Sequence, residues 1–289
     1  MMASGWQLPK TVVVWEARVP VEAIGRATAA LAMLGHPAPV EVSRPGSRVT
    51  TLALYFSPRT DTHQLTRVFK QVFAAPCRVR RRLLRGWQTL WKRSLRVQRL
   101  TRRLVLCPTT KRYRAARGES IIRLDPGLAF GSGSHATTRF VLRMLSRFGV
   151  GCSAFLDLGT GSGILSIGAW LLGIRRITAV DYDPLAIEVA RANFRRNRVL
   201  NARLLKRSVE TWRDRGRYDF VAANLDTESV LRLRDQLVEW VKAGGVLCVT
   251  GIAAARREAV LARYRLPSLQ LIGRFRDRAW CGLCFRKLR

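Results

Sequence analysis

Three glycines at alternate positions, Gly159, Gly161 and Gly163, stand between two segments that each end in an acidic residue. Asp157 closes a short apolar run before the glycines, and Asp181 closes a second run of β-type residues after them. Alternate glycines let the backbone turn tightly and let a ligand approach without meeting a Cβ atom. An acid at the position of Asp181, roughly twenty residues after the loop, is suited to accept hydrogen bonds from ribose hydroxyls.

The spacing distinguishes this loop from two common phosphate-binding loops. A dinucleotide site has the pattern G-x-G-x-x-G, but its third glycine is replaced here by Ile164. A P-loop supplies a lysine to the phosphates, whereas this loop contains no charged side chain. The pattern therefore predicts an adenosine-type ligand without phosphates. The alternative is a glycine-rich turn in an ordinary Rossmann-like domain.

The loop needs a strand before it and a helix and a strand after it. Residues 164–172 have apolar side chains at helical spacing and residues 177–180 are typical of a strand, which predicts a parallel βαβ crossover. Further strands and helices alternate along the chain, and two β-rich runs follow between residues 269 and 288. This order indicates an α/β fold with a doubly wound, Rossmann-like sheet that closes with a hairpin.

A smaller domain is predicted in front of this sheet. Its elements alternate strand, helix, strand, helix, at residues 11–19, 21–34, 48–56 and 61–73. Asp61 is placed to cap the second helix, and the order fits a small α+β domain of the split-βαβ, ferredoxin-like type. We predict three segments: an N-terminal α+β domain (1–76), a basic linker (77–118) and the ligand-binding domain (119–289).

The chain has 52 basic and 19 acidic residues, a formal net charge of +33. The window Arg78–Arg117 holds fifteen of the basic residues and no acidic one, with Trp87, Trp91 and Tyr113 interleaved. Such density indicates an anionic partner, and it leaves open a contact with RNA or the ribosome through residues 78–117. A solvated linker and an arginine-rich composition bias are the alternatives.

Six cysteines are scattered along the chain, and Cys281 and Cys284 form its one C-x-x-C pair. A structural zinc site needs a second pair, and strand positions three apart face opposite ways, so no metal is predicted. Free thiols favour a reducing, cytoplasmic location. The first residues lack the apolar run of a signal peptide, and the uncharged stretch 158–174 overlaps the glycine loop, so no membrane contact is predicted.

Together these segments resemble the ribosomal protein L11 methyltransferase family, whose members are S-adenosylmethionine-dependent protein lysine methyltransferases. LDPGLAFGSGSHATT (124–138) resembles the loop before the family's core, and DLGTGSGILSI (157–167) with AVDYDPLAIEVARANFRRN (179–197) resembles its cofactor motifs. VAANL, TGI and Trp280-Cys281 resemble its strand ends, and Trp87 and Trp91-Lys92 match a Trp-rich linker. The similarity covers essentially the whole chain.

The resemblance implies a class I methyltransferase fold that binds S-adenosyl-L-methionine behind a small substrate-recognition domain. It implies cofactor contacts by the glycine turn and by three residues elsewhere, in all Thr138, Gly159, Gly161, Gly163, Asp181 and Asn224. It also implies a protein acceptor, ribosomal protein L11 or a related protein, methylated on lysine or α-amino groups. We expect a monomer.

Methyl transfer from a sulfonium is an in-line displacement, so the protein mainly positions donor and acceptor and excludes water. We hypothesise that the side-chain oxygen of Asn224 accepts a hydrogen bond from the acceptor amine, which would make it the catalytic residue. A strand-end turn residue is the alternative. His135 lies in the loop over the predicted site, either as a loop residue that bonds the backbone or as a proton acceptor.

Two features leave the acceptor open. The family usually continues Asn-Ile-Leu-Ala, where this chain has Asn224-Leu225-Asp226-Thr227. Family members also tend to be acidic, whereas a chain at +33 repels a lysine-rich substrate. An RNA methyltransferase is the alternative function, although the strand end lacks the Asn/Asp-Pro-Pro-aromatic clamp for a flipped base. A non-catalytic module that binds S-adenosylmethionine or RNA is the third.

Overall fold

The computed structural model describes residues 11–33, 40–42, 48–56, 61–73, 77–83, 96–124, 135–214 and 216–288. The chain divides into two compact units, Met1–Ser94 and Leu95–Arg289. Most of the predicted pre-core loop (125–134), and Trp87 and Trp91 of the predicted linker, lie outside the described residues.

The N-terminal unit is a four-stranded antiparallel sheet with two helices. In chain order its elements are β1 (Thr11–Pro20), α1 (Ile24–Met33), β2 (Val40–Val42), β3 (Val49–Phe56), α2 (His63–Phe73) and β4 (Cys77–Leu83). The strand order β2-β3-β1-β4 confirms the ferredoxin-like prediction. Two details differ from the sequence analysis: β2 was not predicted, and β4 pairs with β1 beyond the boundary expected at residue 76. The second edge of β1 needs backbone partners, which β4 supplies.

Two side chains of this unit, Trp15 and Asp61, stabilise its second helix. The indole of Trp15 is fully buried, lies 4.9 Å from the ring of Phe69 and donates a hydrogen bond of 3.0 Å to the Thr66 hydroxyl. Asp61 accepts a 2.8 Å bond from the His63 amide at the start of α2, as its predicted capping role requires.

The C-terminal unit begins with a small three-stranded sheet. Its strands are β5 (Gln98–Arg99), β6 (Leu104–Pro108) and β7 (Ser120–Leu124), in the order β5-β6-β7. Leu104 and Ile122 are fully buried and belong to the core of this unit. Residues 98–108, expected in a linker, are therefore part of the C-terminal unit.

The main sheet has seven strands in the order β10-β9-β8-β11-β12-β14-β13. Its strands are β8 (Ala154–Leu158), β9 (Arg176–Asp181), β10 (Ala202–Lys206), β11 (Tyr218–Asn224), β12 (Val241–Ala253), β13 (Leu269–Arg276) and β14 (Trp280–Lys287). Five strands pair in parallel, and the hairpin β13–β14 adds antiparallel to β12. The doubly wound sheet and the closing hairpin are confirmed.

Helices cover both faces of this sheet. They are α3 (Ala136–Phe148), α4 (Ile164–Leu171), α5 (Pro184–Arg196), α6 (Thr227–Arg232), α7 (Arg234–Trp240) and α8 (Arg257–Arg263). The buried side chains of α3, α4 and α5 share one core cluster with the small sheet, and those of α6, α7 and α8 share the other. Helices α6 and α7 are divided at Leu233, and β12 begins at Val241, directly after α7.

Three further sequence predictions bear on this unit. Cys284 lies in the core cluster of α3–α5 and Cys281 in that of α6–α8, which confirms that the C-x-x-C thiols face opposite sides of β14. In the described ranges, no group of three or more His, Cys, Asp or Glu side chains is placed to hold a metal ion. None of the helices in the part of the chain that the structure describes is long and apolar enough to cross a membrane.

Candidate functional site

The predicted site residues lie where three neighbouring strands end. β8 lies between β9 and β11, and all three run parallel. The sheet order reverses at this point, since β9 and β10 lie on one side of β8 and β11 and β12 on the other. In open α/β sheets, ligands bind outside the carboxyl ends of the strands at such a reversal. The glycine loop after β8, Asp181 on β9 and Asn224 on β11 all lie at this edge.

The three loop glycines have left-handed backbones, with φ of +73° at Gly159, +53° at Gly161 and +80° at Gly163. Their amides are engaged within the protein. Gly159 donates to the Val180 carbonyl at 3.0 Å, Gly161 to the Asp181 carboxylate at 2.9 Å and Gly163 to the Thr160 carbonyl at 2.8 Å. The loop therefore offers a ligand a Cβ-free surface rather than a row of free N–H donors, which suits the phosphate-free ligand predicted from the sequence.

Two of these glycines also allow close packing. A Cβ at Gly159 would lie 3.0 Å from the backbone oxygen of Asn224, so this glycine brings the loop against the end of β11. A Cβ at Gly163 would lie 2.6 Å from the ring of Phe194, so the absence of a side chain at Gly163 lets α5 pack against the start of α4. The structure thus brings Gly159, Asn224 and, through Gly161, Asp181 together.

Asp157 anchors the loop from below. Its side chain is completely buried, and one carboxylate oxygen accepts bonds from the Thr160 hydroxyl at 2.8 Å, the Ser166 hydroxyl at 2.6 Å and the Ser166 amide at 3.2 Å. Among the described residues, its other oxygen, Oδ1, has no hydrogen-bond partner. Burial raises the pKa of Asp157 to about 6, against the opposing effect of the bonds from Ser166 and Thr160.

Asp181 lies at the end of β9 and is 8% exposed. Its two oxygens accept bonds from the Gly161 amide and from the Asp183 amide, at 2.9 and 3.0 Å. Burial raises its pKa, while these amide bonds oppose the shift. The next side chain, Tyr182, is 70% exposed at the same edge. Tyr182 was not among the predicted site residues, although an aromatic residue directly after the acid was a visible signal.

Asn224 has a partner that the sequence did not reveal. Its side-chain oxygen accepts a 2.8 Å hydrogen bond from the hydroxyl of Thr250, which is fully buried on β12. The two residues are opposite each other in the parallel pairing of β11 and β12. A carbonyl oxygen has two lone pairs, so one remains for a second donor. The Thr250 hydroxyl therefore fixes the direction in which that second lone pair points.

The first turn of α3 carries Thr138, which is 1% exposed. Its hydroxyl has no hydrogen-bond partner among the described residues. Phe140 connects this turn to the edge described above, because its ring and the Thr250 methyl both lie within 3 Å of where a Cβ on Gly282 would stand. His135 immediately precedes α3, and burial lowers its pKa, while the charge of Asp277 acts in the opposite direction.

The strand order, together with the glycine loop after β8 and the acidic residue that ends β9, defines a class I methyltransferase fold. Comparison with known proteins gives the family. The pattern of the ribosomal protein L11 methyltransferase family (PrmA) matches residues 38–288. The ribosomal protein L11 methyltransferase of Geotalea uraniireducens is 38% identical over 213 residues, which are 69% of this chain and 67% of the relative. That of Pelobacter propionicus is 36% identical over 206 residues, 70% of this chain and 66% of the relative.

A solved structure gives the same result. The crystal structure of ribosomal protein L11 methylase from Lactobacillus delbrueckii subsp. bulgaricus is 31% identical, with a TM-score of 0.62 over 68% of this chain and 100% of that one. The chain spans about two thirds of the length of each of these two relatives. The chain belongs to the ribosomal protein L11 methyltransferase family, and with it to the S-adenosylmethionine-dependent N-methyltransferases.

The residues present fit that cofactor. S-adenosylmethionine carries an ammonium group, a carboxylate and ribose hydroxyls, all of which need polar partners. Two buried oxygens, Oδ1 of Asp157 and the Thr138 hydroxyl, have no partner among the described residues. Because an unpaired buried polar atom costs about 1–3 kcal/mol, such atoms indicate a ligand that would satisfy them. The Cβ-free approach at Gly159 adds the space that the ligand needs.

Proposed function

We propose that this protein transfers methyl groups from S-adenosyl-L-methionine to lysine ε-amino or α-amino groups of ribosomal protein L11 or a closely similar protein. The observation that carries the proposal is the Asn224 amide, held by Thr250 beside the glycine loop of a chain from this family. The names of the relatives supply the acceptor protein.

We assign the cofactor site to the residues at the carboxyl edge of β8, β9 and β11. Asp181 would accept bonds from the ribose hydroxyls, since a carboxylate has about four acceptor sites and the amides of Gly161 and Asp183 leave some of them open. The turn Gly159-Gly161-Gly163 would lie against the ligand, and Thr138 would donate or accept through its unpaired hydroxyl. The exposed ring of Tyr182 is suited to stack on the adenine base.

When bound, the cofactor supplies an electrophilic methyl group on a sulfonium. The chain's task is then to hold a neutral amine in line with it. A lysine with a reference pKa near 10.4 costs about 5 kcal/mol to deprotonate at neutral pH, at roughly 1.4 kcal/mol per pKa unit. The second lone pair of the Asn224 oxygen would accept a hydrogen bond from this amine and so orient its nitrogen lone pair toward the methyl group.

The residues that depart from the family's Asn-Ile-Leu-Ala pattern have local structural tasks. Asp226 caps α6, accepting a 3.0 Å bond from the Ser229 amide and a 2.6 Å bond from its hydroxyl. The Thr227 hydroxyl accepts a 2.9 Å bond from the Ala253 amide at the end of β12. Because Asp226 and Thr227 are engaged in this way, the departure is accounted for without a change of acceptor.

The remaining proposals concern partners. We propose that the N-terminal ferredoxin-like unit recognises the protein substrate, and that the enzyme acts as a monomer in the cytoplasm. The basic segment 78–117 is proposed to contact RNA or the ribosome; between residues 96 and 117, where its side chains are described, it exposes arginines. Methylation of RNA itself is not favoured, because the β11 end continues Leu225-Asp226 and lacks a clamp for a flipped base.

The proposal is tested by incubating the purified protein with radiolabelled S-adenosylmethionine and, in separate reactions, purified L11 and ribosomal RNA. Label is expected in L11, and mass spectrometry should place it on lysine or α-amino nitrogens. The Asn224→Ala variant should lose most of the turnover, by a larger factor than its cofactor Kd rises. Label in RNA alone, or an Asn224→Ala variant with wild-type turnover, would contradict the assignment.

A further inference from the structure

The excess positive charge of the C-terminal unit is distributed unevenly between its two helical layers. Helices α6, α7 and α8 together carry four acidic and four basic residues. Each of the four acids forms an ion pair with an arginine: Glu228–Arg256, Asp235–Arg234, Glu239–Arg217 and Glu258–Arg257. If the arginines reflected only a composition bias, both helical layers would carry a similar excess of positive charge. The charges of the opposite layer, α3–α5, test this.

In that opposite layer, α3 carries three arginines and no acidic residue. Arg139, Arg143 and Arg147 are all exposed and four residues apart, so they follow one another on one side of the helix, about 6 Å apart along its axis. Within the described part of the chain, none of the three forms an ion pair with an acidic side chain. The row therefore lacks the neutralising partners found around α6–α8.

The turn between β5 and β6 extends this row. The Ser146 hydroxyl of α3 donates a 3.2 Å hydrogen bond to the Thr101 hydroxyl, so the turn lies against the helix. Arg102 and Arg103 follow Thr101 directly and are exposed. Two further cations are thereby placed beside the α3 row.

The connection from β6 to β7 adds a third group of cations. It ends beside the turn between β5 and β6, because the Ser120 amide donates a 2.7 Å hydrogen bond to the Arg103 carbonyl. Glu119 holds its shape, accepting bonds from the Tyr113 hydroxyl at 2.7 Å and the Ala116 amide at 2.9 Å, while Arg99 lies 2.5 Å away. The Glu119 side chain is only 3% exposed. This surface has no other acid between residues 96 and 124.

We propose that these exposed cations form one binding surface for the phosphate backbone of RNA. We call it the arginine face and define it as Arg102, Arg103, Arg112, Arg114, Arg117, Arg139, Arg143 and Arg147. A guanidinium group is a planar fork of donors that matches phosphate oxygens. None of the large apolar side chains exposed in the described residues lies in 96–124 or 135–148, so this surface offers nothing to insert into a membrane.

The choice of RNA over DNA rests on the proposed function, because the proposed acceptor is a ribosomal protein. Bound RNA would also screen the repulsion between a chain at +33 and a lysine-rich acceptor. The contact is to phosphates, so binding should be insensitive to RNA sequence and steeply dependent on salt.

The test is fluorescence anisotropy of the full chain with a fluorescein-labelled RNA hairpin across a salt series. The variant Arg139→Gln/Arg143→Gln/Arg147→Gln keeps good helix formers on α3. If all three arginines contact phosphates, the slope of log K against log salt should become shallower by about 2 to 3. Arg112→Gln/Arg114→Gln/Arg117→Gln should give a similar loss.

The matched control is Arg232→Gln/Arg256→Gln/Arg263→Gln, which removes three charges that are paired with Glu210, Glu228 and Asp235. It should leave the affinity and slope for RNA close to wild type. An equal loss of RNA affinity in the control would show that binding depends only on net charge, and would overturn the proposal. So would tighter binding to a DNA duplex or to phosphatidylglycerol vesicles than to the hairpin. Methyl transfer to L11 without RNA is measured separately, so its failure would refute the proposed function and leave the arginine face standing.

Discussion

The buried carboxylate of Asp157 gives the sharpest prediction. Its pKa is about 6 in the folded protein and about 3.9 in an unfolded chain. Between these values the folded state holds a proton that the unfolded state has released, so stability falls as pH rises from about 4 to about 6. Two pKa units correspond to about 3 kcal/mol. At neutral pH the free enzyme therefore carries the cost of a buried, charged Asp157.

The variant Asp157→Asn removes this titration. All three of the bonds to Asp157 end on one oxygen, which the carbonyl of an asparagine can replace. Relative to wild type, its unfolding free energy should therefore rise by up to about 3 kcal/mol between pH 4 and pH 7.5. Urea unfolding at half-unit pH steps measures this difference. Parallel curves for the two proteins would refute the argument.

The same variant tests the cofactor site. If the unpaired Oδ1 of Asp157 faces the ammonium group of S-adenosylmethionine, the ligand favours the charged carboxylate, so wild-type affinity should strengthen as pH rises through 6. Asparagine would place an N–H donor there instead, so the variant should bind weakly at pH 7 and show no such rise. Isothermal titration across pH 5 to 8 checks both. If the wild-type affinity does not change across this pH range, Asp157 does not contact the ammonium group.

Three further predictions concern the site and its support. Thr250→Val removes the hydroxyl that holds Asn224; the loss of this hydrogen bond, worth about 1.4 kcal/mol, should lower kcat about tenfold. The cofactor Kd should not change, and Thr250→Ser should keep its activity. A wild-type kcat in the valine variant would exclude this role. Gly163→Ala should lose more stability in urea than Gly151→Ala, because both have φ near +80° and a Cβ meets a neighbour only at Gly163; equal losses would contradict the clash. Burial alone would raise the pKa of Asp219, yet hydrogen bonds lower it to about 2, so the charged carboxylate stabilises the fold above pH 4 and this stability is lost as pH falls from about 4 to 2. Asp219→Asn should therefore be less stable than wild type at pH 7, and the difference should shrink on acid unfolding. Equal stability of the two proteins at pH 7 would refute this role.

The sequence predicted those parts of the fold whose causes are local. The alternating glycines need positive φ, which only a few neighbouring residues decide, and all three have it. Asp181 lies next to Gly161 because one βαβ unit sets the distance between them. The helical spacing of apolar side chains at 164–172 likewise predicted α4 almost to the residue. These features required no knowledge of how distant segments meet.

Features set by distant pairing could not be predicted in the same way. Thr250 lies 26 residues after Asn224, and only the register between β11 and β12 makes them partners. The three residues of β2 are too few for a periodic pattern. Cys77–Leu83 alternates as a strand should, but only the unpaired edge of β1 assigns it to the N-terminal sheet. Net charge likewise says nothing about which layer carries the excess.

The division between the paired charges of α6–α8 and the arginine face has a consequence for the solvent. Added salt weakens attraction within the exposed pairs, which contributes little to stability in any case. On the arginine face the same ions screen the repulsion between the arginine side chains. With a formal charge of +33, the screening of repulsion outweighs the weakening of the pairs, so the free protein should be less stable in a salt-free buffer than at physiological ionic strength.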